Sequence, residues 1–411
     1  MNRLFIFPLL SLSLFSLNCS GMPKTEPNLV SKTDTTIAPV ETRDANSPQY
    51  KSAFVGQTRT NGVKTTTKYS FKVLTEKLNS PWGLTSLPDG RLLITEKSGN
   101  LRIVKATGEM SDKITGLPTV DTDGQGGLLG ITLDPAFAQN RMVYWAFSEP
   151  VSGGNHTSVA KGRLSDDERK IENALVIYRA TPAHKGNLHY GGRVLFDKNG
   201  YLFVSTGERS DRSTRPQAQQ LNSGLGKIIR ITTDGKPAPG NALASTGGSR
   251  PELYSYGHRN VQGLTINPVD GELWSNEFGP RGGDEINHVI PGKNYGWPTI
   301  TYGIEYGGGK VGDGIQQKEG LEQPVYYWDP SVSPSGMTFY SGSQIPEWQN
   351  NLFVGCLSGM HINRLVIKDN KVIGEERLLT EEYQRFRDVH QGKDGSLYAV
   401  TDQGRLYKIG K

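Results

Sequence analysis

Five segments of the chain contain more polar, charged and glycine residues than turns alone require. Their arginines, amides, acids and histidines would act together if folding brought them to one place. The segments are 121–127 (DTDGQGG), 184–193 (HKGNLHYGGR), 256–263 (YGHRNVQG), 276–298 (NEFGPRGGDEINHVIPGKNYGWP) and 384–388 (QRFRD).

The basic and amide side chains in these segments suit an acidic, planar ligand. Arg259, Arg385 and Arg387 offer paired donors to carboxylates. Gln125 and Asn260 add amide contacts, and the surrounding glycines let the backbone approach a ligand closely.

The same segments also hold candidates for metal binding and proton transfer. Asp284, Glu285 and the carbonyls of the neighbouring Gly/Pro turn are hard oxygen ligands that suit calcium. A histidine can take a proton from an alcohol near neutral pH. Each of these residues alone is more often structural, so the functional interpretation depends on their lying together on one face.

One sequence motif recurs around these segments, and it predicts the β-hairpins that must position them. An apolar stretch leads to a turn signal and then to a second apolar run, which together indicate a β-hairpin. Four clear copies carry the turns Asp89-Gly90, Asn199-Gly200, Asp270-Gly271 and Asp394-Gly395, and two diverged copies lie at 129–146 and 336–355.

The six copies predict an all-β fold, a six-bladed β-propeller over residues 70–411. They recur roughly 45 to 75 residues apart, with long loops between them, which a sandwich or an up-and-down barrel would not show. Residues 71–74 and 406–409 are apolar runs that would close the ring by pairing. Each polar segment opens or precedes a repeat, so we expect all five to face one end of the propeller axis.

Composition supports many short strands and excludes several function classes. The 411 residues include 50 glycines and 23 prolines without a short period, which argues for many tight turns. The formal net charge of +5 is spread along the chain without a Lys/Arg cluster, so no nucleic-acid partner is predicted. Cys19 and Cys356 are far apart and give no zinc or iron–sulfur pattern.

The first nineteen residues predict export. Asn2 and Arg3 precede a short apolar run that ends at Cys19, a pattern similar to a bacterial lipoprotein signal. An ordinary signal peptide with an incidental cysteine is the alternative. Residues 20–69 are rich in Ser, Thr, Pro, Lys and Asn, which predicts a flexible tether. We therefore expect a periplasmic protein or an outer-membrane-anchored lipoprotein, with the membrane contacted only through the lipid.

The polar segments resemble those of a known family, the soluble glucose/sorbosone dehydrogenases that use pyrroloquinoline quinone (PQQ), and in particular their aldose sugar dehydrogenase branch. The resemblance runs from about Ser80 to Lys411. It is carried by three phrases, namely GQGGLLG at 124–130, GHRNVQG at 257–263, and GP at 279–280 with DEIN at 284–287 and NYGWP at 294–298.

The resemblance implies a six-bladed propeller that oxidises aldose sugars at C1 to the lactone. His189 would be the general base that takes the proton from the C1 hydroxyl, while hydride passes to the quinone. Glu208 stands where a relative carries an acid that orients this histidine, and Arg259 would also stabilise charge on the quinone oxygen. The residues implied to contact the cofactor are Gln125, Arg259, Asn260, Ser358, Arg385 and Arg387.

The resemblance also implies calcium. The carbonyls of Gly279 and Pro280 would hold an ion that touches the cofactor, and Glu285 and Tyr295 would hold a second, structural one. One position departs from the family, because Ser358 stands where a cofactor-binding lysine is common. A hydroxyl cannot supply that charge, so a nearby cation would have to substitute or cofactor affinity would fall.

Three functions follow as alternatives. The first is an oxidoreductase that passes electrons to a membrane quinone or a cytochrome. The second is a calcium-dependent hydrolase of the lactonase type, since the fold alone does not decide function. Such an enzyme would need carboxylate and amide ligands around an axial metal rather than three arginines. The third is a non-catalytic, surface propeller that binds sugar or protein, which the loss of the lysine favours.

Overall fold

Short alternating apolar runs form strands here because a turn residue ends each run before it becomes long. Gly200 lies in one such turn with a φ of 79°, a left-handed conformation that glycine adopts without steric cost. The computed structural model of the protein describes Met1 and residues 37–411, and the strands in that part form six sheets.

The six sheets are the blades of a β-propeller. The first strand, β1 (Ser70–Thr75), belongs to the last blade. Blade 1 comprises β2 (Pro81–Ser86), β3 (Leu92–Glu96) and β4 (Asn100–Val104), and blade 2 comprises β5 (Leu128–Leu133), β6 (Met142–Val151), β7 (Gly154–Leu164) and β8 (Ile171–Arg179). Blade 3 comprises β9 (Gly191–Phe196), β10 (Leu202–Thr206), β11 (Lys227–Ile231) and β12 (Leu253–Tyr256).

The second half of the ring repeats this order. Blade 4 comprises β13 (Val261–Ile266), β14 (Leu273–Glu277), β15 (Asp284–Val289) and β16 (Tyr326–Trp328), and blade 5 comprises β17 (Pro334–Phe339), β18 (Leu352–Cys356), β19 (His361–Lys368) and β20 (Lys371–Leu378). Blade 6 comprises β21 (Phe386–Gln391), β22 (Leu397–Thr401), β23 (Leu406–Gly410) and β1. The predicted six-bladed, all-β fold is confirmed.

In the part of the chain that the structure describes, helical structure is confined to short connections. One helical turn, α1 (Phe137–Asn140), joins β5 to β6, and single 3-10 turns lie at Arg215–Gln219, Pro346–Trp348 and Thr380–Glu382. Within residues 37–411, no helix is long and apolar enough to cross a membrane.

The ring closes by pairing the two ends of the propeller. Strand β1 runs antiparallel to β23, with Phe71 opposite Ile409 and Val73 opposite Tyr407. The predicted pairing of residues 71–74 with 406–409 is therefore confirmed.

The innermost strand of each blade packs against the innermost strands of its two neighbours. This crowding requires glycine at close approaches, because a Cβ on Gly336 would lie 1.6 Å from Asp388 Oδ1. Asp388 pairs with Arg193 at 2.7 Å, and both side chains are buried. This ion pair joins blades 3 and 6 across the centre of the ring. Arg193 Nε also donates to the carbonyl of Gln262 in blade 4 at 3.0 Å.

Residues 37–69, here called the strap, lie against the outer edges of blades 4 and 5. The Val63 amide donates to the carbonyl of Glu375 in β20 at 2.9 Å, and the amide of Tyr327 in β16 donates to the Gln57 carbonyl at 2.9 Å. This arrangement differs from the flexible tether predicted for residues 20–69. Polar backbone and side-chain contacts, which leave no apolar pattern in the sequence, hold the strap. The predicted export signal (1–19) and residues 20–36 lie outside the described residues.

Candidate active site

The loops between blades surround a central cavity of about 480 Å³. Four of the predicted site residues line it, namely Gln125, His189, Arg385 and Arg387. The other lining residues are Ser80, Trp82, Lys97, Gly124, Leu129, Tyr190, Gly191, Gln262, Phe278, Tyr306, Ser333, Leu357 and Asp402. Its size is typical of a site for a small organic ligand.

His189 is held in one orientation on the cavity wall. It is 4 % exposed and has a φ of 49°, an uncommon conformation for a residue other than glycine. Its backbone N–H donates to Gln125 Oε1 at 2.9 Å, and its Nδ1 bonds Glu208 Oε1 at 2.6 Å. Because a carboxylate accepts from Nδ1, the proton belongs on Nδ1 and the lone pair on Nε2.

The surroundings keep this imidazole neutral. Burial and the nearby Arg259 lower the pKa of His189 to about 4, although the Glu208 carboxylate acts in the opposite direction. The ring is therefore an unprotonated base at neutral pH, with Nε2 free to accept a proton.

Arg209 fixes the loop that carries His189, although no motif in the sequence predicts this role. Its guanidinium is buried and donates to Asn155 Oδ1 and to the Gly186 carbonyl, both at 2.6 Å. Its Nε donates to the Leu188 carbonyl at 3.1 Å. The only sequence signal is its place next to Glu208.

Asp402 aligns the two arginines of blade 6 and was also missed. Arg385 Nε donates to Asp402 Oδ2 at 2.9 Å, and Arg387 Nε donates to Oδ1 at 2.8 Å. One carboxylate thus orients two guanidiniums on the cavity wall, which leaves an excess of positive charge for an acidic ligand.

Lys97 is a further cation in this cavity. Its Nζ donates to the Gly124 carbonyl at 2.9 Å. Burial and the neighbouring Arg387 lower its pKa below the ordinary value. The residue directly follows the first hairpin of the repeat, and no local pattern distinguishes it from a solvated lysine.

Arg259 and Asn260 lie beside the cavity and do not line it. Arg259 donates to the Phe278 carbonyl at 3.2 Å and to the Tyr306 hydroxyl at 3.4 Å. Asn260 Oδ1 accepts from the Gly191 N–H at 2.9 Å. Buried donors on both side chains, Arg259 Nε and Asn260 Nδ2, have no protein partner among the described residues. Unpaired buried donors are costly, so these two suit a bound ligand.

Ser358 lies outside the cavity. Its hydroxyl is 2.8 Å from the hydroxyl of Ser333, and Ser333 and Leu357 line the cavity instead. The residue predicted to contact a cofactor here therefore stands at the rim.

A second, ion-sized cavity of about 10 Å³ lies next to the first, with Phe278 in the wall of both. Three of the four predicted metal residues, Gly279, Glu285 and Tyr295, line it together with Glu277. Glu277 and Glu285 are opposite each other on β14 and β15. Burial and the Glu277 charge raise the pKa of Glu285 well above the ordinary value, which a bound cation would reverse.

The oxygens available to an ion here are mixed. The Tyr295 hydroxyl is engaged, because it donates to the His288 carbonyl at 2.6 Å and accepts from the Ile290 N–H at 2.8 Å. Its main-chain carbonyl is the remaining oxygen. Across residues 37–411 no three His, Cys, Asp or Glu side chains meet as a metal site, so carbonyls would have to complete the ligand set.

Pro280 and Asp284 have different roles from those expected. Pro280 does not line the small cavity, and its carbonyl accepts a bond from Ser331 Oγ at 3.4 Å. Asp284 accepts from the backbone amides of Gly279, Val332 and Ser333 at 2.8, 2.8 and 2.7 Å. Its carboxylate thus ties the loops of blades 4 and 5 together and is not available as a metal ligand.

Comparison with known proteins identifies relatives over most of the chain. Residues 78–408 match the glucose/sorbosone dehydrogenase family. Aldose sugar dehydrogenase YliI of Escherichia coli (strain K12) is 43 % identical over 343 residues, which are 82 % of this chain and 92 % of that protein.

Solved structures agree with this match. A crystal structure of a glucose dehydrogenase is 44 % identical with a TM-score of 0.80, and it covers 83 % of this chain and 99 % of that one. The PQQ-bound aldose sugar dehydrogenase of Streptomyces coelicolor is 32 % identical with a TM-score of 0.69, and it covers 84 % and 99 % of the two chains.

Proposed function

Because the chain belongs to the glucose/sorbosone dehydrogenase family of sugar-oxidising oxidoreductases, we propose that it binds PQQ in its central cavity and oxidises aldoses at C1 to the lactone. The observation that carries this proposal is the His189–Glu208 pair, which lies in the same cavity as a cluster of cations. When bound, the quinone would supply the acceptor for the hydride that leaves C1.

The cavity fits this tricarboxylic cofactor. Arg385, Arg387 and Lys97 line the cavity against one acid, Asp402. Lys97 supplies the positive charge that a lysine at Ser358 would have given. Gln125 borders the same space, and the unpaired donors of Arg259 and Asn260 would gain acceptors from a ligand bound next to them.

His189 acts as the general base in this proposal. Its neutral imidazole accepts the proton of the C1 hydroxyl at Nε2, while Glu208 stabilises the imidazolium that results through Nδ1. Arg259, beside the cavity, would contribute positive charge that stabilises the quinone oxygen when the cofactor is bound. Arg209 keeps the base in place by fixing its loop.

Calcium is part of the same proposal. The Glu285 carboxylate and the Tyr295 carbonyl, with the Glu277 carboxylate opposite Glu285, would hold an ion in the small cavity. The Gly279 and Pro280 carbonyls would hold a further ion, for which the Pro280 carbonyl would give up its long bond from Ser331 Oγ; this ion would supply Lewis-acid charge to the cofactor.

Export, a lipid anchor at Cys19, and transfer of electrons to a membrane quinone or a cytochrome complete the proposal. The lactonase alternative gains no support from the fold, since the Arg193–Asp388 ion pair lies at the centre of the ring where an axial metal would be needed.

The test is dye reduction by the full-length apo protein with PQQ, calcium and a panel of aldoses. We expect activity only with both additions. His189→Ala should abolish turnover while cofactor binding, followed by absorbance titration, persists. His184→Ala is the matched control on the same loop and should keep its activity.

Two results would contradict the proposal. The absence of both cofactor binding and dye reduction in the wild type would exclude a PQQ enzyme. Cofactor binding without turnover of any aldose would instead favour the non-catalytic, ligand-binding propeller.

A further inference from the structure

The strap (residues 37–69) lies outside the region that matches the family, which begins at residue 78. We propose that the strap positions the Gly279–Gly283 turn, and that the affinity of the metal site depends on strap contacts. The dependence of metal affinity on the strap rests on the proposed function, which assigns calcium to this turn.

The first support is the environment of Asp329. Asp329 is only 6 % exposed. Its carboxylate accepts three hydrogen bonds, all of them from the strap. Asn46 N and Nδ2 both donate to Oδ1 at 2.9 Å, and Ser47 N donates to Oδ2 at 2.9 Å. Without the strap this buried carboxylate would lose those donors, which is costly.

The second support is that the same carboxylate touches the turn. A Cβ on Gly282 would lie 2.5 Å from Asp329 Oδ1. The backbone of the turn therefore packs directly against the carboxylate to which the strap donates its hydrogen bonds. Gly282 also has a φ of 81°, which only glycine adopts readily. A shift of Asp329 would therefore displace Gly282 or leave a gap beside it.

Asn46 connects the two sides of this arrangement. Its amide nitrogen donates to Asp329, while its Oδ1 accepts from Arg281 Nε at 3.0 Å. Arg281 is the central residue of the turn. One strap side chain thus bridges the turn and the buried carboxylate behind it.

The turn is anchored to blades 4 and 5 and borders the ion-sized cavity. The Gly282 N–H donates to Ser331 Oγ at 3.0 Å and the Gly283 N–H to the Trp328 carbonyl at 2.8 Å. Gly279 and Gly283 line the ion-sized cavity. Residues that support metal ligands indirectly commonly change metal affinity by 10- to 100-fold when they are replaced.

The other end of the strap provides a control. Thr66 and Thr67 hydroxyls donate to Glu347 at 2.5 and 2.6 Å. Glu347 lies in the 3-10 turn at Pro346–Trp348 of blade 5 and takes no part in the Gly279–Gly283 turn. Removing these bonds loosens the strap without touching Asn46.

The experiment compares full-length Asn46→Ala with the double variant Thr66→Ala/Thr67→Ala. Hydrogen exchange measured by mass spectrometry on peptides covering residues 279–284, and calcium affinity measured by chelator competition without PQQ, are the readouts. We expect Asn46→Ala to exchange about tenfold faster in this turn and to bind calcium about tenfold more weakly. The threonine variant should match the wild type in both.

Two outcomes would overturn the inference. Either Asn46→Ala leaves exchange and calcium affinity at wild-type values, or both variants change them equally, which would mean a general loss of stability. If the wild type binds no calcium, the metal part of the proposed function fails. The exchange comparison still decides whether the strap holds the turn.

Discussion

At the scale of single residues, His189 combines an uncommon backbone conformation with full engagement of one ring nitrogen. Its φ of 49° is maintained by Gln125, which holds the backbone N–H, and by Glu208, which holds Nδ1. Strained residues persist where the surroundings fix them, and they concentrate at functional sites. The conformation aims a neutral imidazole at the cavity.

Replacing Glu208 tests this arrangement. In Glu208→Gln the carboxylate no longer raises the pKa of His189, so that pKa should fall below its value of about 4. The acid limb of kcat/KM, which reports the free base, should move to lower pH, and kcat should fall by about 100-fold because the base is weaker and the imidazolium unsupported. A pH–rate profile between pH 3 and 8 is the measurement.

Asp211→Asn is the control for this change, since Asp211 carries a comparable charge near His184 in the same region. It should leave the acid limb in place. An acid limb that stays put in Glu208→Gln, or moves to higher pH, would contradict the assignment of His189 as the base.

Site residues that lie within recognisable motifs could be predicted from the sequence. Residues that orient those side chains from elsewhere in the chain could not, with the exception of Glu208. Arg385 and Arg387 were found, whereas Asp402, which aligns both, follows an ordinary strand. Glu277 was missed because only the strand register places it opposite Glu285. A pairing distance of this kind depends on folding and leaves no local pattern.

At the scale of elements, the turn signals located the hairpins well, because Asp-Gly and Asn-Gly turns act locally. The strap was not predictable in the same way. Its polar contacts come from backbone amides, hydroxyls, the Asn46 and Gln57 side-chain amides and the Glu41–Arg377 ion pair at 2.8 Å, and they give no hydrophobic periodicity. Composition alone therefore indicated a tether.

Lys227 shows how a segment of chain can be held by a single buried side chain. The residue is fully buried, and its Nζ donates to the carbonyls of Gln217, Ala218 and Leu225 at 2.8, 2.9 and 2.6 Å. Lys227→Met keeps the volume and leaves these carbonyls unpaired. We expect the free energy of unfolding to fall by about 2 to 4 kcal/mol in urea denaturation.

The exposed Lys236 gives the matched comparison for this prediction. Lys236→Met should change the free energy of unfolding by less than about 0.5 kcal/mol. If Lys227→Met were equally mild, the three carbonyl contacts would not be what holds residues 217–225.

At the scale of the whole molecule, the ring depends on one pairing between distant parts of the chain. Strands β1 and β23 lie at opposite ends of the propeller sequence, and Lys72 is the Cα partner of Lys408. Every other blade is built from consecutive strands. Opening this pairing would expose two strand edges and end the closure that removes free edges from the fold.

A disulfide across the closure should therefore stabilise the protein strongly. Lys72→Cys/Lys408→Cys would link strands that face each other, and the constrained loop would include nearly the whole propeller. Because longer loops lose more entropy when they are cross-linked, we expect a gain of about 3 to 5 kcal/mol under oxidising conditions, measured by urea unfolding with and without reductant.

A disulfide between positions 368 and 371 is the control, because it cross-links two strands without closing the ring. These residues are also Cα partners, but they join β19 to β20 within a single hairpin. The Lys368→Cys/Lys371→Cys disulfide should give a gain of only about 1 to 2 kcal/mol. Equal gains from the two disulfides would contradict the prediction, because they would show that covalent closure of the whole ring stabilises the protein no more than a link within one hairpin.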